Sequence, residues 1–192
     1  MIVGVVLSEG DFSELTSTVK TQFMLDYEYK TVTGDGPIND VEIDLTDNNV
    51  YFQYSEDETY FIDYQTAEED AINVTVADGK IVMKQVFYKL YKWFRFKYKT
   101  DEQRRVNIHL PASFAGDINV DITSGSVDFK NFTANDISIF ATSGNINLAN
   151  ATINDLDIDI TSGLAVLSSI EANKLKIDHT SGKVTLKNIN AN

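Results

Sequence analysis

The sequence predicts an all-β protein: a parallel β-solenoid, single-stranded and β-helix-like, with an N-terminal β-meander as its cap. Three observations carry this. Thr-Ser-Gly recurs at 123–125, 142–144, 161–163 and 180–182, a constant interval of 19 residues. Between recurrences the apolar residues alternate with period 2, the periodicity of a strand rather than a helix. Before the repeat, short alternating runs are divided by turn-forming residues.

Residues 1–40 form an N-terminal segment. Its start, "MIVGVVL", is too short for a membrane span, which needs about 20 apolar residues, and lacks the charged n-region of a signal peptide. It reads as a first strand or as the tail of a removed membrane anchor. Residues 11–23 place Phe12, Leu15, Val19 and Phe23 at helical spacing after Asp11, which predicts one short amphipathic helix. Residues 41–105 form the cap. Strands are predicted at "VEIDL", "VYFQY", "YFIDY", "INVTV" and "KIVMK", with turns at "DNN", "SEDE", "TAEED" and "ADG".

The stretch 84–99, "KQVFYKLYKWFRFKYK", holds six basic residues, seven aromatics and no acid. Phe94, Phe96 and Tyr98 alternate with Arg95, Lys97 and Lys99, the pattern of a half-buried strand. Two readings follow. The aromatics cap the solenoid core while the cations face the acids of residues 1–83, or the stretch docks on a membrane surface. Lys89, Lys92, Trp93, Arg95, Lys97 and Lys99 are the candidate interaction surface.

Residues 106–192 form the solenoid. Counting from each Thr, position 5 holds Val127, Ile146, Ala165 and Val184, and position 7 holds Phe129, Leu148, Leu167 and Leu186. Positions 10, 12, 15 and 17 are likewise apolar. Gly125, Gly144, Gly163 and Gly182 supply corners that need positive φ. Asn135, Asn154, Asn173 and Asn192 occupy position 13 and predict a further corner with a stacked amide ladder. A degenerate unit precedes these, with Ile108 and Leu110 at positions 5 and 7. Stacked layers are stabilised by their neighbours. The last layer therefore predicts an open edge, at which the chain continues or self-associates.

The formal net charge is −13, and it is uneven: −15 over residues 1–83, +6 over 84–105 and −4 over 106–192. Such a chain repels phosphate backbones, which argues against nucleic acid as a partner. There is no cysteine, so disulfides, thiolate metal sites and cysteine nucleophiles are excluded.

The strand runs of 41–83, the "VNIHLP" step at 106–111 and the ordered Thr-Ser-Gly repeats resemble the bacterial putative-adhesin, or toastrack, domain family of unknown function, over about residues 40–192. The resemblance implies a strand-repeat solenoid on an envelope protein, often beside a membrane anchor, linked to adhesion or envelope-stress signalling. It implies no catalytic motif and no cofactor. The partner expected is a protein or cell-envelope polymer, at the cell surface or the extracytoplasmic face of the membrane, with membrane attachment through a segment absent from this sequence.

His109 reads as outward on its strand, and His179 as partly buried at position 19; neither has a histidine partner at ligand spacing. The outward acids Asp121, Asp157, Asp159 and Asp178 are the candidates for a calcium site or for a glycosidase acid pair, against a solvated acidic face. Three functions follow: a non-enzymatic surface module, a carbohydrate-active solenoid enzyme using the Asp column, and a structural spacer assembling through its edges.

Overall fold

Strand-forming residues run through nearly the whole chain, and the computed structural model, which describes residues 25–68, 70–87 and 99–191, is all-β. The strands are β1 (Glu28–Asp35), β2 (Asp40–Leu45), β3 (Asn49–Tyr54), β4 (Thr59–Thr66), β5 (Asp70–Ala77), β6 (Lys80–Phe87), β7 (Arg105–Leu110) and β8 (Asp117–Ala191). A four-residue helix, α1 (Asp101–Arg104), carries a capping box between Thr100 and Gln103. The helix predicted over 11–23, the N-terminal apolar run and residues 88–98 lie outside the described residues, as does Asn192.

β8 is one extended run of 75 residues, and it winds over itself. Asn147 donates to Asp128 at 2.9 Å and Asn150 to Asn131 at 3.0 Å, each pair 19 residues apart. From the second Thr-Ser-Gly onward the glycine sits on the glycine one layer below, so close that a Cβ on Gly163 would lie 2.0 Å from the Gly144 carbonyl oxygen. Only a residue without a Cβ tolerates that approach, and Gly125, Gly163 and Gly182 also take positive φ.

The sheet is mixed rather than purely parallel, with order β1-β4-β7-β3-β8-β2-β6-β5. β8 belongs to two walls. Residues 117–122 pair parallel with β2, and β2 with β6. Residues 126–129 pair parallel with β3, and β3 with β7. β4 joins β7 antiparallel, β1 joins β4 antiparallel, and β5 joins β6 antiparallel. The two walls close around one core into a nearly closed, barrel-like sheet.

The expected meander over 41–83 is overturned. Its strands form, but β2, β3 and β4 are not neighbours of one another; only β5 and β6 pair as a hairpin. β2, the corner Thr46-Asp47-Asn48 and β3 lie directly beneath the first Thr-Ser-Gly unit. Val41, Ile43 and Leu45 pair with Ile118, Val120 and Ile122, and Val50 and Phe52 with Val127 and Phe129. Ser124 N–H donates to the Thr46 carbonyl at 2.6 Å. The segment "VEIDLTDNNVYF" is thus a hidden layer, with Asn48 where the repeat has glycine. It displaces Ile108 and Leu110 from beneath Val127 and Phe129, pushing β7 one strand outward.

The inward columns fill the core. Val127, Phe129, Ile146, Leu148, Ala165 and Leu167 are buried. Phe52 stacks on Phe129 with ring centroids 4.3 Å apart, and Phe132 stacks on Tyr54 at 4.7 Å. In the last described layer Val184 and Ile189 are half-buried and Leu186 is exposed. His179 is exposed, not partly buried as expected, because no described layer lies over it.

The asparagine columns also differ from expectation. Among the described residues position 13 shows no amide-to-amide bond: Asn135 donates to Asp117 at 2.8 Å and Asn154 to Asp136 at 3.3 Å. The amide-to-amide bond is at position 9, where Asn131, Asn150, Ser169 and Asn188 all take positive φ. That corner needs the left-handed conformation, and asparagine tolerates it best after glycine.

Gly125→Ala places a Cβ 2.1 Å from the Asn48 carbonyl oxygen at φ +116°. Backbone strain there costs about 1–3 kcal/mol before the layers are pushed apart. Phe129→Ala removes the buried stack and costs about 3–5 kcal/mol. Urea titration followed by circular dichroism checks both; a midpoint unchanged in either variant contradicts this packing.

Candidate functional site

Among the described residues, two places gather chemistry-bearing side chains: a buried ionic node at the base of the walls, and an outward face on β3 and its neighbours.

The node forms where the β5–β6 hairpin meets the corner between β2 and β3. Asp70 is 1% exposed and Lys99 5%. Lys99 Nζ lies 2.9 Å from Asp70 and 2.7 Å from Asp47, and donates to Asn48 Oδ1 at 3.4 Å. Tyr27 donates to Asp70 at 2.6 Å and Gln85 to its other oxygen at 2.5 Å. Gln85 Oε1 accepts from Thr46 N–H, and Asn48 Nδ2 donates to the Arg104 carbonyl. Burial works to raise the Asp70 carboxyl, but the Tyr27 and Lys99 hydrogen bonds and the Lys99 charge outweigh it and hold Asp70 below its ordinary value. Burial first, then the bond to Asp70, push the Tyr27 phenol well up. The node is a fully partnered tie rather than a reactive centre.

Lys99 was a candidate for the interaction surface, and the structure corrects this. Two distant carboxylates converge on it, so its ammonium is buried and paired. Lys84, the other described cation of the stretch, pairs with Glu42 at 2.8 Å. Lys89, Lys92, Trp93, Arg95 and Lys97 lie outside the described residues.

The acid candidates do not converge. Asp157 and Asp178 both pair with Lys176, at 3.3 Å and 2.6 Å, and Asp159 is exposed. Asp121 stands beside Asp44, its register partner; partial burial and then that carboxylate raise its pKa. Among the described residues no three metal-binding side chains come together. The same column carries Phe140, which is 41% exposed.

The outward face was not singled out by sequence reasoning. Alternation sends Tyr51 and Gln53 out of β3, Arg105, Asn107 and His109 out of β7, and Asp128 and Lys130 out of β8. Register places Tyr51 between Asn107 and Asp128, and Gln53 beside His109. The Arg105 guanidinium sits 4.5 Å from the Tyr51 ring centroid. The His109 imidazole stacks on Phe61 at 3.8 Å, and its burial holds its pKa below the usual histidine value, with Asp63 opposing.

Beside Tyr51 the sheet opens into a groove of about 480 Å³, lined by Tyr51, Gln53, Tyr54, Asp128, Lys130 and Asn131. It exists because the hidden layer leaves the stack after Tyr54. The Tyr54 hydroxyl accepts from Thr133 N–H and donates to the Thr133 carbonyl at 2.7 Å, closing the corner that the departing chain opens. A further groove of about 540 Å³ runs along Ala134, Ile153 and the asparagines of position 13 and has no aromatic wall.

The chain belongs to the family described as Toastrack DUF4097, whose model matches residues 38–192. It is similar to the crystal structure of a putative cell adhesion protein from Clostridium sporogenes, with TM-score 0.56 and 9% identity, covering 84% of this chain and 99% of that one. Weaker likenesses include a putative adhesin from Bacteroides fragilis (TM-score 0.38, 15% identity, 88% and 99% covered). Another is a putative lipid binding protein from Parabacteroides distasonis (TM-score 0.33, 9% identity, 88% and 98% covered). No curated protein matches.

Removing one partner leaves a buried charge unpaired. Lys99→Ala is expected to destabilise by about 3–5 kcal/mol. The folded Asp70 pKa lies below its ordinary 3.8, so its stabilisation is present above that value and is lost as pH falls through the lowered folded value. Thermal melts from pH 7 to pH 2 check both points. Asp70→Asn is expected to lose this acid-dependent component, and an unchanged acid slope overturns the assignment.

Proposed function

We propose that this chain is a non-enzymatic recognition module of the bacterial cell envelope, an adhesin-type or envelope-sensing domain at the cell surface or the extracytoplasmic face of the membrane. In this reading the stacked layers of β8 act as a parallel β-solenoid that presents ordered rows of side chains on its outer walls. The observation that carries the proposal is the membership in the Toastrack family across residues 38–192. The fold likeness to the protein named for cell adhesion adds support.

The site chemistry agrees. Asp157 and Asp178 are engaged by Lys176, and neither groove described above is lined by Asp121, Asp157, Asp159 or Asp178, so neither offers those acids as a pair for a glycosidic bond. The outer face of β3, β7 and β8 instead combines an aromatic ring, a guanidinium, a carboxylate and amides on a stiff sheet, a composition suited to recognition.

Cosedimentation of the full chain with purified bacterial cell walls and with phospholipid vesicles tests this. Reproducible retention on walls or vesicles above an albumin control is the expected result. A chain that stays in the supernatant with both overturns the reading. Release of reducing sugar from those walls by the pure chain would replace it with the enzyme.

A further inference from the structure

We propose that the groove beside Tyr51 is a binding site for neutral pyranose sugars. The inference rests on the recognition reading above and gives it a ligand class.

A pyranose presents two kinds of surface, a C–H face that is apolar and a rim of hydroxyls that both donate and accept. The groove supplies both complements. Tyr51 is the apolar wall: Arg105 lies over its ring at 4.5 Å, and the ring lines the groove. That guanidinium contact also holds the ring in one orientation, which lowers the entropic cost of stacking a ligand on it. Asp128, next to Tyr51 across the parallel pair, is a hydroxyl acceptor. Its carboxylate is steadied by the 2.9 Å bond from Asn147. Gln53 and Asn131 offer amides that donate and accept, and Lys130 offers a donor. Asn131 is fixed by its positive φ and by the amide of Asn150.

The other ligand classes fit less well. An acyl chain meets the Tyr51 and Tyr54 rings only amid the polar groups of Gln53, Asp128, Lys130 and Asn131, which it cannot satisfy. Uronic or sialic acids meet the Asp128 carboxylate and a chain of net charge −13. The groove is open, so a single sugar is held weakly, in about the millimolar range. Useful strength then comes from many copies meeting a repeating polymer.

Amide ¹H–¹⁵N spectra of the full chain, titrated separately with the methyl glycosides of glucose, galactose, mannose and N-acetylglucosamine, test the site. At least one is expected to shift the amides of Tyr51, Gln53, Asp128 and Asn131, with Kd of about 1–10 mM. Tyr51→Ala is expected to weaken that binding at least about tenfold, roughly one lost aromatic stack, and Tyr51→Phe to keep it. Tyr29→Ala, which removes an exposed ring on β1, leaves it unchanged. Should Tyr51→Ala fail to fold, Gln53→Ala at its exposed position must weaken binding instead. The site is overturned by no shift with any of the four glycosides, by shifts confined to another surface, or by full affinity in both Tyr51→Ala and Gln53→Ala. Wall or vesicle retention that persists while no glycoside binds overturns this site alone; no retention on either walls or vesicles overturns the recognition reading too.

Discussion

The whole architecture depends on backbone-to-backbone contact at the stacked corners. A Cβ at Gly125, Gly163 or Gly182 would fall within about 2 Å of a carbonyl oxygen in the layer beneath. Corners that approach so closely bring the flanking strands into hydrogen-bonding register, and that register sets each inward side chain over its like. Phe129 meets Phe52, and Val127 meets Val50, because Gly125 sits on Asn48. A constant interval of 19 residues transmits the alignment up the stack without an adjustment in any layer. Cooperativity in such a stack comes from neighbouring layers rather than from a single central nucleus.

The first half of the chain is governed by the same rule. Thr46-Asp47-Asn48 takes the corner role without the Thr-Ser-Gly letters, and the chain then leaves the stack after Tyr54. Each end of β3 has its own consequence. At its start, the corner presents polar groups that the node gathers up: Asp47 and Asn48 are engaged by Lys99. At its end, the missing third side opens the groove by Tyr51, which Tyr54 closes at one end by stacking on Phe132. The structural tie and the candidate binding groove are thus two results of inserting an irregular layer into a regular stack.

The ionic node is a costly device. Two charges are taken out of water, and their mutual attraction is supplemented by further hydrogen bonds to both Asp70 oxygens and to the Lys99 ammonium. Tyr27, Gln85 and Asn48 supply those bonds. The arrangement ties segments from five separate stretches of the chain to one point, which fixes how the antiparallel hairpin of β5 and β6 sits against the parallel layers. A hydrophobic cluster of the same volume would hold the pieces together with less directional control.

Alternation and the 19-residue interval are local properties, and they made the strand content, the inward columns of 123–177 and the glycine corners legible from the letters alone. Strand neighbours across the sheet are not local. "VNIHL" and "VYFQY" carry the same alternation, so nothing in either run told which of them lies beneath Val127 and Phe129; the space left by the corner at Thr46–Asn48 chose β3 and sent β7 outward. Position 13 and position 9 are both rich in asparagine, and the one that ladders was selected by backbone conformation, positive φ at position 9. Lys99 reads as a surface cation within a basic run, and its burial came from Asp47 and Asp70, which approach it only once the hairpin docks. The groove has the same origin, since Tyr51 and Asp128 become neighbours through a parallel pairing between distant segments. Periodic pattern encodes which way a side chain points, whereas the packing of the folded chain sets what it meets there, because contact free energy depends on groups that no short window of sequence contains.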